Sequence, residues 1–324
     1  MREKVFNFLH FLGVPSILRL GKNNTITILS LHRVSTDRDY FFDPINPKLF
    51  NELLVYLKKY YEIITFKDIS EVMKFNKKPL LILSFDDGYY DFYEYALPIL
   101  QKHKISANHN IVNECASFNK IIWTQRLNFL FNQSMKNKID LEFEIDDIKY
   151  NLSYFNYNWL KFNLTIFKML LSFDKFKREN IIGTLENNLS IKASDRMMNW
   201  EEVKECSNNN IEIGSHTFSH DVVSTINNNK ELLKEIKISK IEIEQRINKP
   251  IQVLALPNGQ GDSTLDKIVE EAGYDFLLYV NDKINPIISF SNKGLKKVDR
   301  LNLINESLSE SILRIEMFHQ KIRK

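Results

Sequence analysis

The chain is poor in cysteine: two in 324 residues, Cys115 and Cys206, far apart and without a CxxC spacing. A disulfide framework is therefore not expected as the organising device, and a reduced compartment is the default. Long apolar runs are missing too. No stretch reaches the roughly 18 apolar residues of a membrane span. Met1 to Leu20 is apolar only in patches (Phe6, Phe8, Leu9, Phe11, Leu12, Val14), broken by Asn7, His10 and Pro15, and lacks the apolar core and small-residue cleavage site of a signal peptide. It is expected as a short helix packed on the domain, the alternative being a helix lying on a membrane surface. The expected location is cytoplasmic, with peripheral membrane association left open. Charge excess is also lacking: 44 basic against 41 acidic residues give a formal +3, with no long basic stretch. Nucleic acid is therefore not expected as a partner. Internal repeats and low-complexity tracts are absent, and nothing fixes an oligomeric state.

What is present suits a sizeable core, with 44% hydrophobic and 12% aromatic residues. Seven short apolar runs read as strands: Thr25–Leu31, Glu62–Thr65, Leu80–Phe85, Ala107–Val112, Ile211–Ser215, Gln252–Leu256 and Phe276–Val280. Between them lie amphipathic stretches at Pro47–Tyr61, Tyr89–His103, Asn228–Ile247 and Ser263–Ala272. Strands alternating with helices imply parallel pairing, because each crossover needs a helix. Seven such units predict a closed or nearly closed α/β barrel, an open doubly wound sheet being the alternative. From about Cys115 to Arg196 the rhythm stops. That stretch reads as an inserted helical subdomain or lid anchored by its aromatics, Trp123, Phe129, Phe131, Trp159, Phe162, Phe167, Phe173 and Phe176 among them.

Two segments carry chemistry. Leu83-Ser84-Phe85-Asp86-Asp87-Gly88 puts two adjacent carboxylates where a strand ends, and His216-Thr217-Phe218-Ser219-His220 puts two imidazoles four residues apart, the spacing of one helix face. One carboxylate and two imidazoles make a facial ligand set for a divalent metal with positions open for water and substrate. The other carboxylate is left to act as a base. Asp-Gly also marks hairpin turns, but Tyr89 to Leu97 reads as a helix start rather than a returning strand. Gly214-Ser215 close an apolar run just before His216 and turn the imidazoles inward. His32 follows the first strand, and Pro257-Asn258-Gly259 follows the sixth; alone, either could be structural. His10, His103, His109 and His319 have no comparable setting. Parallel barrels build their sites at the C-terminal strand ends, where these four segments fall.

On these motifs the chain resembles the polysaccharide deacetylases, the NodB-homology group of carbohydrate esterases. Ser84-Phe85-Asp86-Asp87-Gly88 is similar to their Thr/Ser-Phe-Asp-Asp-Gly motif and His216 to His220 to their His-Ser/Thr-x-x-His motif. Met198-Asn199-Trp200-Glu201-Glu202-Val203, Pro257-Asn258-Gly259 and Ala272-Gly273-Tyr274 extend the likeness over about residues 25–303. The resemblance implies a distorted (β/α)7 TIM-like barrel with a helical insertion. It implies Asp87, His216 and His220 as ligands of a divalent metal, usually Zn2+, Asp86 as general base, and the Asn258 backbone N–H as an oxyanion donor. Two features depart from the family pattern. The Arg that normally pairs with the base is missing from Val253 to Asn258, so Arg300 is the candidate substitute, and the usual late Leu-x-x-His is absent. The exopolysaccharide, poly-N-acetylglucosamine type of deacetylase takes its general acid from an early strand-end His, which His32 matches. The implied layout is a helical segment over 1–21, the deacetylase domain over 22–310 with its insertion at about 115–196, and a helical tail over 311–324.

The expected activity is hydrolysis of N-acetyl groups on an N-acetylhexosamine-containing glycan in polysaccharide biosynthesis. The substrate partner is an acetylated glycan or a lipid-linked sugar. Alternatives are a deacylase of a lipid-linked or small amino-sugar precursor, an O-acetyl esterase, and a glycan-binding module without catalysis. Retention of Asp86 argues against the last, since binding needs no base.

Overall fold

A computed structural model describes residues 2–73, 78–259, 264–291 and 293–322. Its strands are β1 (Thr25–Leu31), β2 (Glu62–Ile63), β3 (Leu80–Phe85), β4 (Ala107–Ile111), β5 (Glu142–Ile145), β6 (Ile148–Asn151), β7 (Ile211–Ser215), β8 (Val253–Ala255), β9 (Phe276–Val280), β10 (Asn285–Pro286) and β11 (Lys296–Asn302). Seven of them close a parallel ring in the order β1, β3, β4, β7, β8, β9, β11 and back to β1. The architecture is a (β/α)7 TIM-like barrel surrounded by helices.

The distortion has a definite place. β3 pairs with β1 along its whole length, Ile26 opposite Leu80 through Leu31 opposite Phe85. Its other edge is shared: β2 takes Leu80 and Leu81, and β4 takes Ser84 and Phe85. β1 repeats the arrangement, with antiparallel β10 at Thr25 and Ile26 and β11 at Leu29 and Ser30. The ring is therefore tight at its C-terminal rim and splayed below, where two short strands fill the gaps.

Alternation along the strands sorts the side chains into two layers. Leu29, Leu31, Leu81, Leu83 and Phe85 join the cluster under the surrounding helices, with Leu53, Leu57, Ile243 and Ile312. Ile26, Ile28, Leu80, Ile82, Val253, Phe276, Leu278 and Val298 form the interior, plugged by Phe66, Ile69 and Phe290. Burial on both faces explains why β1 and β3 read as continuous apolar runs.

Two expectations about strands need correction. Glu62–Thr65 is not a stave of the barrel; only Glu62–Ile63 pairs, as a spur on β3. The seventh stave is β11, whose Lys-Lys-Val-Asp-Arg-Leu-Asn sequence carries too little apolar signal to be recognised. The insertion is not wholly helical either. Helices Trp123–Asn137, Trp159–Leu171 and Lys175–Leu189 surround an antiparallel β5–β6 hairpin over their own core of Leu127, Phe131, Phe143, Phe162 and Ile166. Of the aromatics expected to anchor it, Phe176 is exposed.

At the N-terminus, helices Arg2–Phe11 and Val14–Arg19 bury Phe6 and pair Arg2 with Glu310, while His10 Nδ1 lies 3.0 Å from Ser309 Oγ. Phe8, Phe11, Leu12, Ile17 and Leu20 stay exposed. Among the described residues no helix is long and apolar enough to cross a membrane. The expected start of the Ser263–Ala272 helix, and residues 323–324 of the tail, lie outside the described residues.

Candidate active site

Extending the inward-facing series by one step reaches the rim. Ile26, Ile28 and Ser30 lead to His32; Leu80, Ile82 and Ser84 to Asp86; Phe276 and Leu278 to Val280; and Val298 to Arg300. These four end residues line one cavity of about 140 Å³ together with Asp87, His216, His220 and Asn258. All seven residues singled out by sequence thus stand around a single hollow.

The two histidines reach it without a helix. The expected helical face is replaced by a loop after β7, in which Thr217 (φ 66°) and His220 (φ 59°) are left-handed. A β-branched residue in that region is strained and persists only when its surroundings hold it there. Here the His216 N–H donates to Ile111 O at 2.8 Å, the Ser219 N–H to Glu235 Oε2 at 2.9 Å, and the His220 N–H to Thr217 Oγ1 at 3.2 Å. The insertion holds the loop from outside: Lys175 Nζ donates to Ser219 Oγ at 2.7 Å, and buried Arg178 pairs with Asp221.

Asp87 (φ 76°) places Oδ1 3.3 Å from Nε2 of both His216 and His220. The ligand atoms of these three buried residues all lie within 4.8 Å of one another, the geometry of a site able to hold a metal. The fit extends to the second nitrogen. His216 Nδ1 donates to the Ala255 carbonyl at 2.9 Å, which leaves the Nε2 lone pair facing Asp87. Burial pushes the Asp87 carboxyl up, but the imidazoles of His216 and His220 beside it outweigh burial and hold it well below the usual range. For His216, burial pushes down and the Asp86 and Asp87 carboxylates push further up.

Asp86 is held separately. Arg300 grips it bidentately, Nη1 to Oδ1 at 2.8 Å and Nη2 to Oδ2 at 2.7 Å, and Asn110 Nδ2 adds a third bond to Oδ1 at 2.8 Å. Burial raises this carboxyl, yet Arg300 and His216 dominate and keep it ionised far below its ordinary range. Asn110 fits because β7 offers Gly214 opposite it: a Cβ there would lie 2.2 Å from Asn110 Oδ1. His32 Nε2 is 4.0 Å from Asp86 Oδ2, and its ring meets Phe42 edge-on. Burial lowers the His32 pKa, partly offset by Asp87 and Asp86. Asn258 (φ 56°) follows β8 in a left-handed turn, its Nδ2 buried with no partner among the described residues.

Sequence reasoning missed the residues that complete the cavity. Asn110, which holds Asp86 beneath the cavity, was signalled by the polar Ala-Asn-His-Asn-Ile of a run read as a strand. Thr124, Gln125, Asn128 and Phe167 come from the insertion and line the same hollow; nothing local in their segment points at the barrel.

A family model described as polysaccharide deacetylase matches residues 176–277, a stretch holding His216, His220 and Asn258 but not the Asp86-Asp87 motif. Among solved structures, the Streptococcus pyogenes deacetylase PplD in complex with acetate is similar over 90% of this chain and 98% of its own, at 17% identity and TM-score 0.59. IcaB from Ammonifex degensii covers 91% and 98% at 15% identity and TM-score 0.59. The BpsB deacetylase domain from Bordetella bronchiseptica covers 88% and 98% at 15% identity and TM-score 0.51. At these identities the likeness is one of fold. No curated protein matches the chain in sequence. The chain is thus similar to the polysaccharide deacetylases in sequence over residues 176–277 and in fold across its closed seven-stranded barrel.

Proposed function

We propose that the protein is a metal-dependent hydrolase that removes N-acetyl groups from an N-acetylhexosamine-containing glycan, nearest the exopolysaccharide type. The observation carrying this reading is the division of labour between adjacent carboxylates: Asp87 faces two imidazoles, while Asp86 is clamped by Arg300. A binding protein has no use for the second. The deacetylase named for PplD, with acetate in its complex, supports the same chemistry.

Asp87, His216 and His220 would hold the cation, most suitably Zn2+ given one carboxylate and two imidazoles. Such a cation supplies Lewis acidity and lowers the pKa of water towards about 7. Asp86, ionised throughout the neutral range and oriented by Arg300 and Asn110, takes the proton of the attacking water. The Asn258 backbone N–H faces the developing oxyanion; losing such a donor costs about 2.7–4 kcal/mol. His32 gives a proton to the departing amine. Burial makes its imidazolium a readier acid, and the Asp86 and Asp87 carboxylates beside it stabilise the charged form before transfer.

The test is acetate release by the zinc-loaded protein from acetylated glucosamine oligomers, beside Asp86→Asn. Release in the parent and at least a ~100-fold loss in the variant are expected for a general base; near-normal turnover by Asp86→Asn would remove the base assignment. A second reading keeps the chemistry on a lipid-linked amino sugar, and the exposed Phe8, Phe11, Leu12, Ile17 and Leu20 favour it. Activity on a lipid-linked but not a polymeric glycan would select it.

A further inference from the structure

The insertion does more than cover the barrel. Its Trp123–Asn137 helix buries Leu127, Leu130, Phe131 and Ser134 in the insertion core. The opposite stripe faces two hollows. Thr124, Gln125 and Asn128 line the 140 Å³ reactive cavity. Gln125, Phe129, Asn132 and Gln133 line an adjoining groove of about 780 Å³, whose far wall is the segment from Arg33 to Pro44. The two spaces abut at Gln125.

That side chain is 3% exposed. Its Nε2 donates to Asp195 Oδ2 at 2.7 Å, and Asp195 is itself held by Arg33 at 3.1 and 3.3 Å. A carboxylate only accepts, so this bond fixes which end of the Gln125 amide is which. The Oε1 is left buried with no partner among the described residues. An unpaired buried carbonyl costs about 1–3 kcal/mol, which a ligand hydroxyl would recover. Asn128, one turn further on, has its Oδ1 taken by Asn163 Nδ2 at 3.2 Å. The groove beyond combines the ring of Tyr40, 59% exposed, and the half-buried Phe129 with amide and charged side chains. Rings with apolar faces and polar rims fit that mixture; an acyl chain, needing continuous apolar walls, does not.

We infer that the glycan runs out of the reactive cavity past Gln125 and that the groove binds the sugars adjoining the one to be deacetylated, with Gln125 Oε1 accepting a sugar hydroxyl at the junction. This rests on the proposed function in one respect, that the reactive cavity takes an acetylated sugar. It makes the substrate an oligomer or polymer and assigns chain-length selection to the insertion.

The experiment is calorimetric titration of zinc-loaded Asp86→Asn protein with acetylated glucosamine monomer and pentamer. The same pair is compared by acetate release from the wild type, should that variant fold poorly. The pentamer is expected to be preferred at least ~10-fold, the equivalent of about 1.4 kcal/mol. Adding Gln133→Trp, which fills the groove, or Phe129→Ala, which removes its ring, should bring the preference to near unity with monomer binding unchanged. Gln125→Ala should weaken the pentamer about 10-fold by loss of one hydrogen bond. No preference in the parent, a preference that survives the groove variants, or no binding at any length overturns the inference. Groove-dependent pentamer binding without acetate release from the wild type would instead overturn the deacetylase reading and leave the groove standing.

Discussion

The lower and upper halves of the barrel interior are built on the same strands, from the same inward-facing positions, and obey opposite rules. The lower half is Ile26, Ile28, Leu80, Ile82, Val253, Phe276, Leu278 and Val298, apolar and closely packed where the ring is splayed. The upper half is Ser84, Asn108, Asn110, Asp86 and Arg300, a hydrogen-bonded polar cluster where the ring is tight: Ser84 Oγ donates to Asn108 Oδ1 at 2.7 Å, and Asn110 and Arg300 both reach Ser84 and Asp86. Removing apolar surface from water stabilises the first half. The second half carries a buried ion pair, whose desolvation offsets much of its attraction. The difference shows where the fold places its stability and where it places its chemistry, one two-residue step apart along each strand.

The largest expected effect comes from splitting the upper cluster. Arg300→Met leaves Asp86 buried and unpaired and should cost about 3–5 kcal/mol in urea unfolding. Adding Asp86→Leu should return most of that stability with no return of activity. If the double variant were no more stable than the single, the upper half would not be the costly one. Ile82→Ala probes the lower half and should cost about 2–5 kcal/mol, with zinc affinity in titration unchanged. A loss of zinc binding as well would show the halves to be coupled.

The third test uses His109, which is buried, faces outward from β4 level with the rim, and lies 4.1 Å from the Phe92 ring centroid. Burial pulls its pKa from 6.5 down to about 4, against the opposing Asp86. A depressed value favours the neutral form in the fold, so the contribution is complete above pH 6.5 and is lost as the pH falls towards 4. It amounts to about 3 kcal/mol. His109→Leu should flatten the unfolding free energy across that window; a wild-type slope retained in the variant would assign it to other groups.

Much of this was legible because it is local. The apolar runs of β1 and β3, the doubled carboxylate at a strand end and the paired imidazoles each state their nature within a few residues. What failed did so for identifiable reasons. β11 was invisible because only Val298 and Leu301 speak for burial, and its Arg300 is stabilised in the interior by a carboxylate 214 residues away. The spacing of His216 and His220 suggested a helix, whereas hydrogen bonds donated by the loop's N–H groups to Ile111, Thr217 and Glu235 hold a strained loop that brings the same rings together.

The sequence alone therefore determined the α/β class, the family resemblance and the pool of reactive side chains, because hydrophobic periodicity and short motifs depend on near neighbours. Tertiary structure decided which strand completes the ring and that the Trp123–Asn137 helix lends Gln125, Asn128 and Thr124 to the cavity. Those outcomes depend on contacts between residues far apart in the chain, and on the burial that makes an ion pair or an unpaired amide matter.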